Sequence, residues 1–266
     1  SEQGRTLSFF SGFVISGAVS VQGPLSGPLA APRFDGKLDA GPVSIRGVPF
    51  RRVGGRLAFG ERTLSLEDAD IRHGNSVYAG NGSVSFQGPE PVYQAKLDVR
   101  RSDVVSIVAL FYKRIPLELS ASGSLSFRGT SREFSGEGRL DLEAGTAYGE
   151  SFDRGTLSVE LTSNRVSFPH VLLEKKAGTV SGEGWIGFDG TYDAHVESEG
   201  LDLAEIDHLK NLTCSGAFIL DIRSSGSFSA PVVRAHAESD QLSYRQASLG
   251  SAWSDLEIKN GDLTLA

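Results

Sequence analysis

Apolar residues recur at every second position along most of this chain, and the alternation is bracketed by glycines. Gly17-Ala-Val19-Ser-Val21-Gln-Gly23 is the first instance. It returns as Gly82-Ser-Val84-Ser-Phe86-Gln-Gly88, Gly123-Ser-Leu125-Ser-Phe127-Arg-Gly129 and Gly184-Trp-Ile186-Gly-Phe188-Asp-Gly190, and more loosely as Gly216-Ala-Phe218-Ile-Leu220. A period of two puts successive side chains on opposite faces of a β-strand, so each copy predicts a strand with one apolar and one polar face, and the flanking glycines predict turns or bends at its ends.

The leading glycines lie 65, 41, 61 and 32 residues apart, so the repeating unit is a pair of copies about 100 residues long. Other landmarks keep that period. Gly55-Arg-Leu57-Ala-Phe59 corresponds to Gly155-Thr-Leu157-Ser-Val159, and Phe34-Asp-Gly36 to Phe134-Ser-Gly136, each pair 100 residues apart. The organisation expected is one continuous repeat-built segment, with units at about residues 12–116 and 117–212 and a partial unit at 213–266. In the second unit strands are expected at residues 139–143, 155–161, 165–173, 179–188 and 192–197. Each unit is expected to close on a short amphipathic helix. In the first, Val104, Ile107, Val108 and Phe111 share a face; in the second, Asp202 precedes Leu203, Ile206 and Leu209 at helical spacing. About eighteen strands joined by short turns should pair antiparallel.

Composition narrows the class. The 266 residues include 32 glycines, a fraction well above the usual ~7 %, as turn-rich β structure requires. One cysteine, Cys214, excludes an internal disulfide framework and the cysteine-rich zinc modules; a buried or half-buried place near a strand start is expected for it. With 26 basic against 33 acidic residues the net charge is −7, which argues against binding nucleic acid through phosphates. No apolar run reaches the 18 residues of a membrane-spanning helix; the longest nearly apolar window is 104–112. Methionine is absent and the chain starts at Ser1, so it reads as an excised piece of a longer protein.

Catalytic constellations are not found. Gly182-Glu-Gly184-Trp-Ile-Gly187 fits the letters of a dinucleotide loop, but it lies within strand text where that site needs a following helix. Asp202, Glu205, Asp207 and His208 form the best metal-like cluster and read as the polar face of the second helix. Glu67-Asp68-Ala69-Asp70 reads as a turn between strands. The five histidines show no paired metal spacing. No catalytic residue, cofactor or metal ligand is assigned, and a non-enzymatic protein is expected.

The apolar row is what remains: Val19, Val21, Leu57, Phe59, Val84, Phe86, Leu125, Phe127, Leu157, Val159, Ile186, Phe188, Phe218 and Leu220. Either it is the core of a closed sandwich or solenoid, or it lines an open groove, and periodicity alone fits both.

The segments LSASGSLSFRG (119–129), FSGEGRLDL (134–142), GTLSVEL (155–161), VSGEGWIGF (180–188) and LDL (201–203) resemble the repeated text of the AsmA and TamB-like proteins of Gram-negative envelopes. The resemblance runs from about Gly12 to the end. It implies an all-β fold with one or two short helices, an elongated antiparallel sheet curled into a taco-like groove. It further implies a periplasmic segment of a protein anchored in the inner membrane by a part outside this chain. The groove would carry phospholipid acyl chains between the two membranes, support outer-membrane protein assembly, or both, with an outer-membrane barrel protein and inner-membrane proteins as partners. The fourteen apolar residues are then the groove lining. The alternative is a structural or adhesive repeat with a closed core, acting as a spacer or protein-binding stalk; a carbohydrate-active enzyme ranks third, for want of a paired carboxylate site.

Overall fold

The computed structural model describes residues 15–45, 48–103, 117–130, 132–176, 178–245, 247–259 and 262–265. The fold is all-β, and its strands pair antiparallel. In chain order the described strands are β1 (Ile15–Gln22), β2 (Leu25–Ser26), β3 (Arg33–Ile45), β4 (Val48–Phe50), β5 (Arg52–Gly60), β6 (Thr63–His73), β7 (Ser76–Ser85) and β8 (Val92–Asp103). There follow β9 (Leu117–Glu118), β10 (Ser120–Gly129), β11 (Phe134–Leu142), β12 (Gly145–Ala147), β13 (Glu150–Phe152), β14 (Arg154–Thr162), β15 (Arg165–Lys175), β16 (Gly178–Gly187) and β17 (Thr191–Asp202). The last are β18 (Cys214–Ser215), β19 (Ala217–Ser227), β20 (Ala230–Tyr244), β21 (Ala247–Lys259) and β22 (Asp262–Leu265). All five strands expected in the second repeat are present. The dinucleotide-like glycines lie within β16, which turns directly into β17.

The chain divides into two compact units. One comprises residues 1–115 and 120–138, the other 116–119 and 139–266. The division follows contacts within each piece and falls inside β11, so it does not coincide with the sequence repeat, whose partial third unit lies wholly in the second compact one. In the first unit the ladder runs β1–β3–β5–β6–β7–β8–β10, each strand antiparallel to the next. In the second it runs β14–β15–β16–β17–β19–β20–β21–β22, with β9, β12 and β13 as a small separate sheet.

Where the alternation slips phase in the sequence, the structure bulges. In β6 the apolar positions step from Leu64 and Leu66 to Ala69 and Ile71, and the register shifts between Leu66 and Ala69. The extra residue, Asp68, takes a left-handed conformation (φ 49°) and donates its N–H to Asn81 Oδ1. Glu67-Asp68-Ala69-Asp70 is therefore a bulge inside a strand rather than the expected turn. A bulge is the physical remedy for a one-residue slip, because without it every later apolar side chain would change face. Two of the leading glycines need a similar correction, whereas the closing Gly88 and Gly190 do lie in bends between strands. Gly17 (φ 142°) and Gly216 (φ 134°) do not end strands at turns; each lies where the backbones crowd, and a Cβ there would meet Pro42 O at 2.5 Å or Gln241 O at 2.3 Å.

Packing is uneven along the strands. In the first unit Ala40, Val43 and Phe50 are buried, with Val53 and Ile71 against them. In the second, Leu140, Leu142, Phe152, Leu201 and Phe218 are buried. The mid-strand apolar rows stay half-buried.

Of the two expected helices, the first falls at 104–111, outside the described residues. The second forms as two short 3-10 helices, Leu203–Glu205 and Asp207–Leu212. Asp202 Oδ1 accepts from Ala204 N and Gly216 N, and Ile206 adopts an extended backbone that breaks the helix in two. A carboxylate on the neighbouring β13 explains the break: Glu150 takes the N–H groups of Asp207 and His208, at 3.0 Å each, and so draws them out of a continuous helix.

Candidate functional site: an apolar face and a charged face

Cross-strand register converts the sequence alternation into continuous rows. In the second unit Leu157, Val171, Gly182, Val196, Ile222, Ala235, Leu256 and Leu265 are each directly opposite the next. Eight consecutive strands thus contribute one row with no charged member. In the first unit Gly36, Leu57, Leu66, Gly82, Ala95 and Phe127 make an equivalent row, and Phe34, Phe59, Leu64, Val84, Tyr93 and Gly129 a second beside it. Glycines recur in these rows opposite large side chains, so the surface is ribbed rather than level.

The apolar face of the second unit holds a cavity of about 500 Å3, lined chiefly by Phe168, Val171, Val180, Ile186, Tyr192, Val196 and Phe228. Tyr192 and Phe228 stack with ring centroids 4.9 Å apart at one side of it. Cavities of this size hold small apolar ligands or part of a larger one.

The sequence-expected lining separates into three groups. Leu57, Phe59, Val84, Phe86, Leu125, Phe127, Leu157, Val159, Ile186 and Leu220 are half-buried. Val19, Val21 and Phe188 are more open, at 60 %, 45 % and 45 % exposed: the valines lie on β1, which pairs with β3, and Phe188 follows the end of β16. Phe218 differs. At 6 % exposure it packs as core opposite Leu201, after the bulge between Ser198 and Leu201. Cys214 is half-buried in β18, as expected.

The opposite face is polar in both units. In the first unit Arg56 bridges Asp35 and Glu67, and a cavity of about 890 Å3 opens on this face among Ser65, Asn81, Gln94, Lys96, Arg128 and Glu137. In the second unit one cross-strand row reads Glu197, Asp221, His236, Asp255, and the next reads His195, Arg223, Arg234, Glu257. His195, Glu197 and Asp221 are the one group of three potential ligand residues converging within 4.8 Å among the described residues. Linear motif spacing missed it because two strands assemble it, although a His-x-Glu step within strand text already places both side chains on one face.

Asp202, Glu205, Asp207 and His208 do not converge. Asp202 caps the first 3-10 helix, while Asp207 and His208 join a clamp with β13 and β15. Lys175, only 9 % exposed, donates to Glu150 at 3.0 Å and lies 3.8 Å from Asp207, which also accepts from Ser151 N at 2.7 Å and from Lys210. Burial works to raise the Glu150 pKa. The donors from His208, from the Asp207 N–H and from Lys175 outweigh it and pull the value down from 4.5 to about 2. Asp207 is likewise held well below the usual carboxylate range, first by Lys210 and then by Ser151.

A folded-state pKa below the unfolded value stabilises the fold above pH 4.5, and that contribution is lost as the pH falls towards 2. The full shift of Glu150 corresponds to about 3 kcal/mol, which solvent screening of a side chain 33 % exposed reduces to about 2. Chemical denaturation at pH 6 and pH 2.5 is expected to show a Glu150→Gln variant less stable than wild type by about 2 kcal/mol at pH 6, with most of the gap closed at pH 2.5. A gap independent of pH would contradict the clamp.

No family model matches the chain, nor does any curated protein or solved structure. Fold and faces therefore define the class directly: an antiparallel β protein whose sheet, in each of the two units, has one apolar and one charged face. Among the described residues no helix is long and apolar enough to cross a membrane.

Proposed function

We propose that this chain is a non-enzymatic segment of an AsmA/TamB-like envelope protein whose apolar face shelters phospholipid acyl chains in the periplasm. One observation carries the reading: the directly paired row from Leu157 to Leu265, eight strands without a charge. An acyl chain of ~16 carbons needs on the order of 12 kcal/mol of shelter from water, at about 0.8 kcal/mol per methylene, and only a continuous apolar strip supplies it. The half-exposed state of the rows in each unit further supports a ligand face over a sealed spacer, which would bury them. Passage of lipid between membranes and support of outer-membrane protein assembly belong to the same proposal, with a barrel protein and inner-membrane proteins as partners.

The purified chain is to be incubated with phosphatidylethanolamine/phosphatidylglycerol vesicles, separated from them and analysed by native mass spectrometry. Adducts of one or more intact diacyl phospholipids are expected. A spectrum of bare protein at gentle activation would overturn the proposal.

A further inference from the structure

We propose that His195, Glu197 and Asp221 form a divalent transition-metal site, filled best by Zn2+, on the charged face of the second unit. Glu197 and Asp221 are direct cross-strand partners on β17 and β19. Like charges in that position repel, and a sheet that keeps them gains from a cation between them. His195 stands at that point: its Nε2 is 3.2 Å from Glu197 Oε1 and 3.2 Å from Asp221 Oδ2. A tetrahedral Zn2+ with bonds of about 2.1 Å sets its ligand atoms about 3.4 Å apart, so both distances nearly match edges of its coordination polyhedron. Arg223 approaches the other oxygen of Asp221, Oδ1, at 3.5 Å and leaves Oδ2 facing the imidazole.

The donor set selects the metal class. One imidazole and two carboxylates suit Zn2+ and its neighbours in the first transition row, whereas Ca2+ takes six to eight oxygens. His195 is 24 % exposed, Glu197 56 % and Asp221 39 %, so water can complete the shell. Bound there, the metal ties β17 to β19 directly behind the Val196–Ile222 pair of the apolar row. The site stands on the charged face and is independent of the lipid reading.

The test is calorimetric titration of the purified chain with Zn2+ alone, alongside His195→Gln, Asp221→Asn and, as a control away from the site, His170→Gln. Wild type and control should take up one equivalent saturably, and both site variants should bind more than ~100-fold more weakly, beyond the 10–100-fold that an outer-shell partner is worth. Circular dichroism confirms that each variant keeps its strands. Absence of saturable uptake by wild type up to millimolar Zn2+, or unchanged binding by His195→Gln, would overturn the site. Should a variant lose its fold, Co2+ alone decides on wild type: intense visible bands of a four-coordinate ion support the site, and the pale spectrum of six-coordinate Co2+ refutes it.

Discussion

Ile222→Glu should cut phospholipid binding by about 50-fold while leaving the chain folded. Ile222 occupies the middle of the eight-strand row, opposite Val196 on one side and Ala235 on the other. A carboxylate there keeps its own water and displaces about three methylenes of acyl contact, about 2.4 kcal/mol at 0.8 kcal/mol each, which is about 50-fold in affinity. The side chain is half-buried rather than enclosed, so glutamate can turn to solvent and the sheet should survive. Lys96→Glu, on the polar face between Asn81 and Ser126, reverses a charge without touching the row and should bind lipid as wild type does. Uptake from labelled vesicles, with circular dichroism of each variant, measures both. Equal binding by a folded Ile222→Glu variant would remove the apolar face as the lipid site.

Phe218→Ala should be the most damaging truncation among the fourteen apolar positions, at about 3–5 kcal/mol. Phe218 is 6 % exposed and faces Leu201, itself 5 % exposed, beyond the β17 bulge. Deleting the ring leaves a cavity that neighbouring strands, fixed by their ladders, cannot fill. At roughly 2–4 °C per kcal/mol, the thermal midpoint should fall by about 10 °C. Phe188→Ala is the comparison: also a phenylalanine at an alternating position of a glycine-led copy, but 45 % exposed, and expected within about 1 kcal/mol of wild type. Similar losses for the two would mean that depth along the strand does not govern the row.

The contrast between those phenylalanines shows how much of the fold was legible. Both occupy alternating positions of glycine-led copies, and that alternation placed both on the apolar side. Depth is a different quantity. It depends on what packs across the strand end, and for Phe218 that is Leu201, a residue of another strand brought opposite by the register between the two. The helix after Asp202 shows the same limit: apolar spacing favoured one amphipathic helix, but Glu150, more than fifty residues earlier, captures two of its N–H groups and divides it.

The sequence by itself determined the strands, their antiparallel succession and the apolar and polar faces, because a period of two is a local property of an extended backbone. Even the β6 bulge is written there, as the slip from Leu66 to Ala69. The tertiary structure alone decided which stretches of the apolar row are sealed and which stay half-open, and that His195 meets Glu197 and Asp221. Those outcomes depend on cross-strand register and on contacts between residues far apart in the chain, and periodicity within one strand carries no information about either.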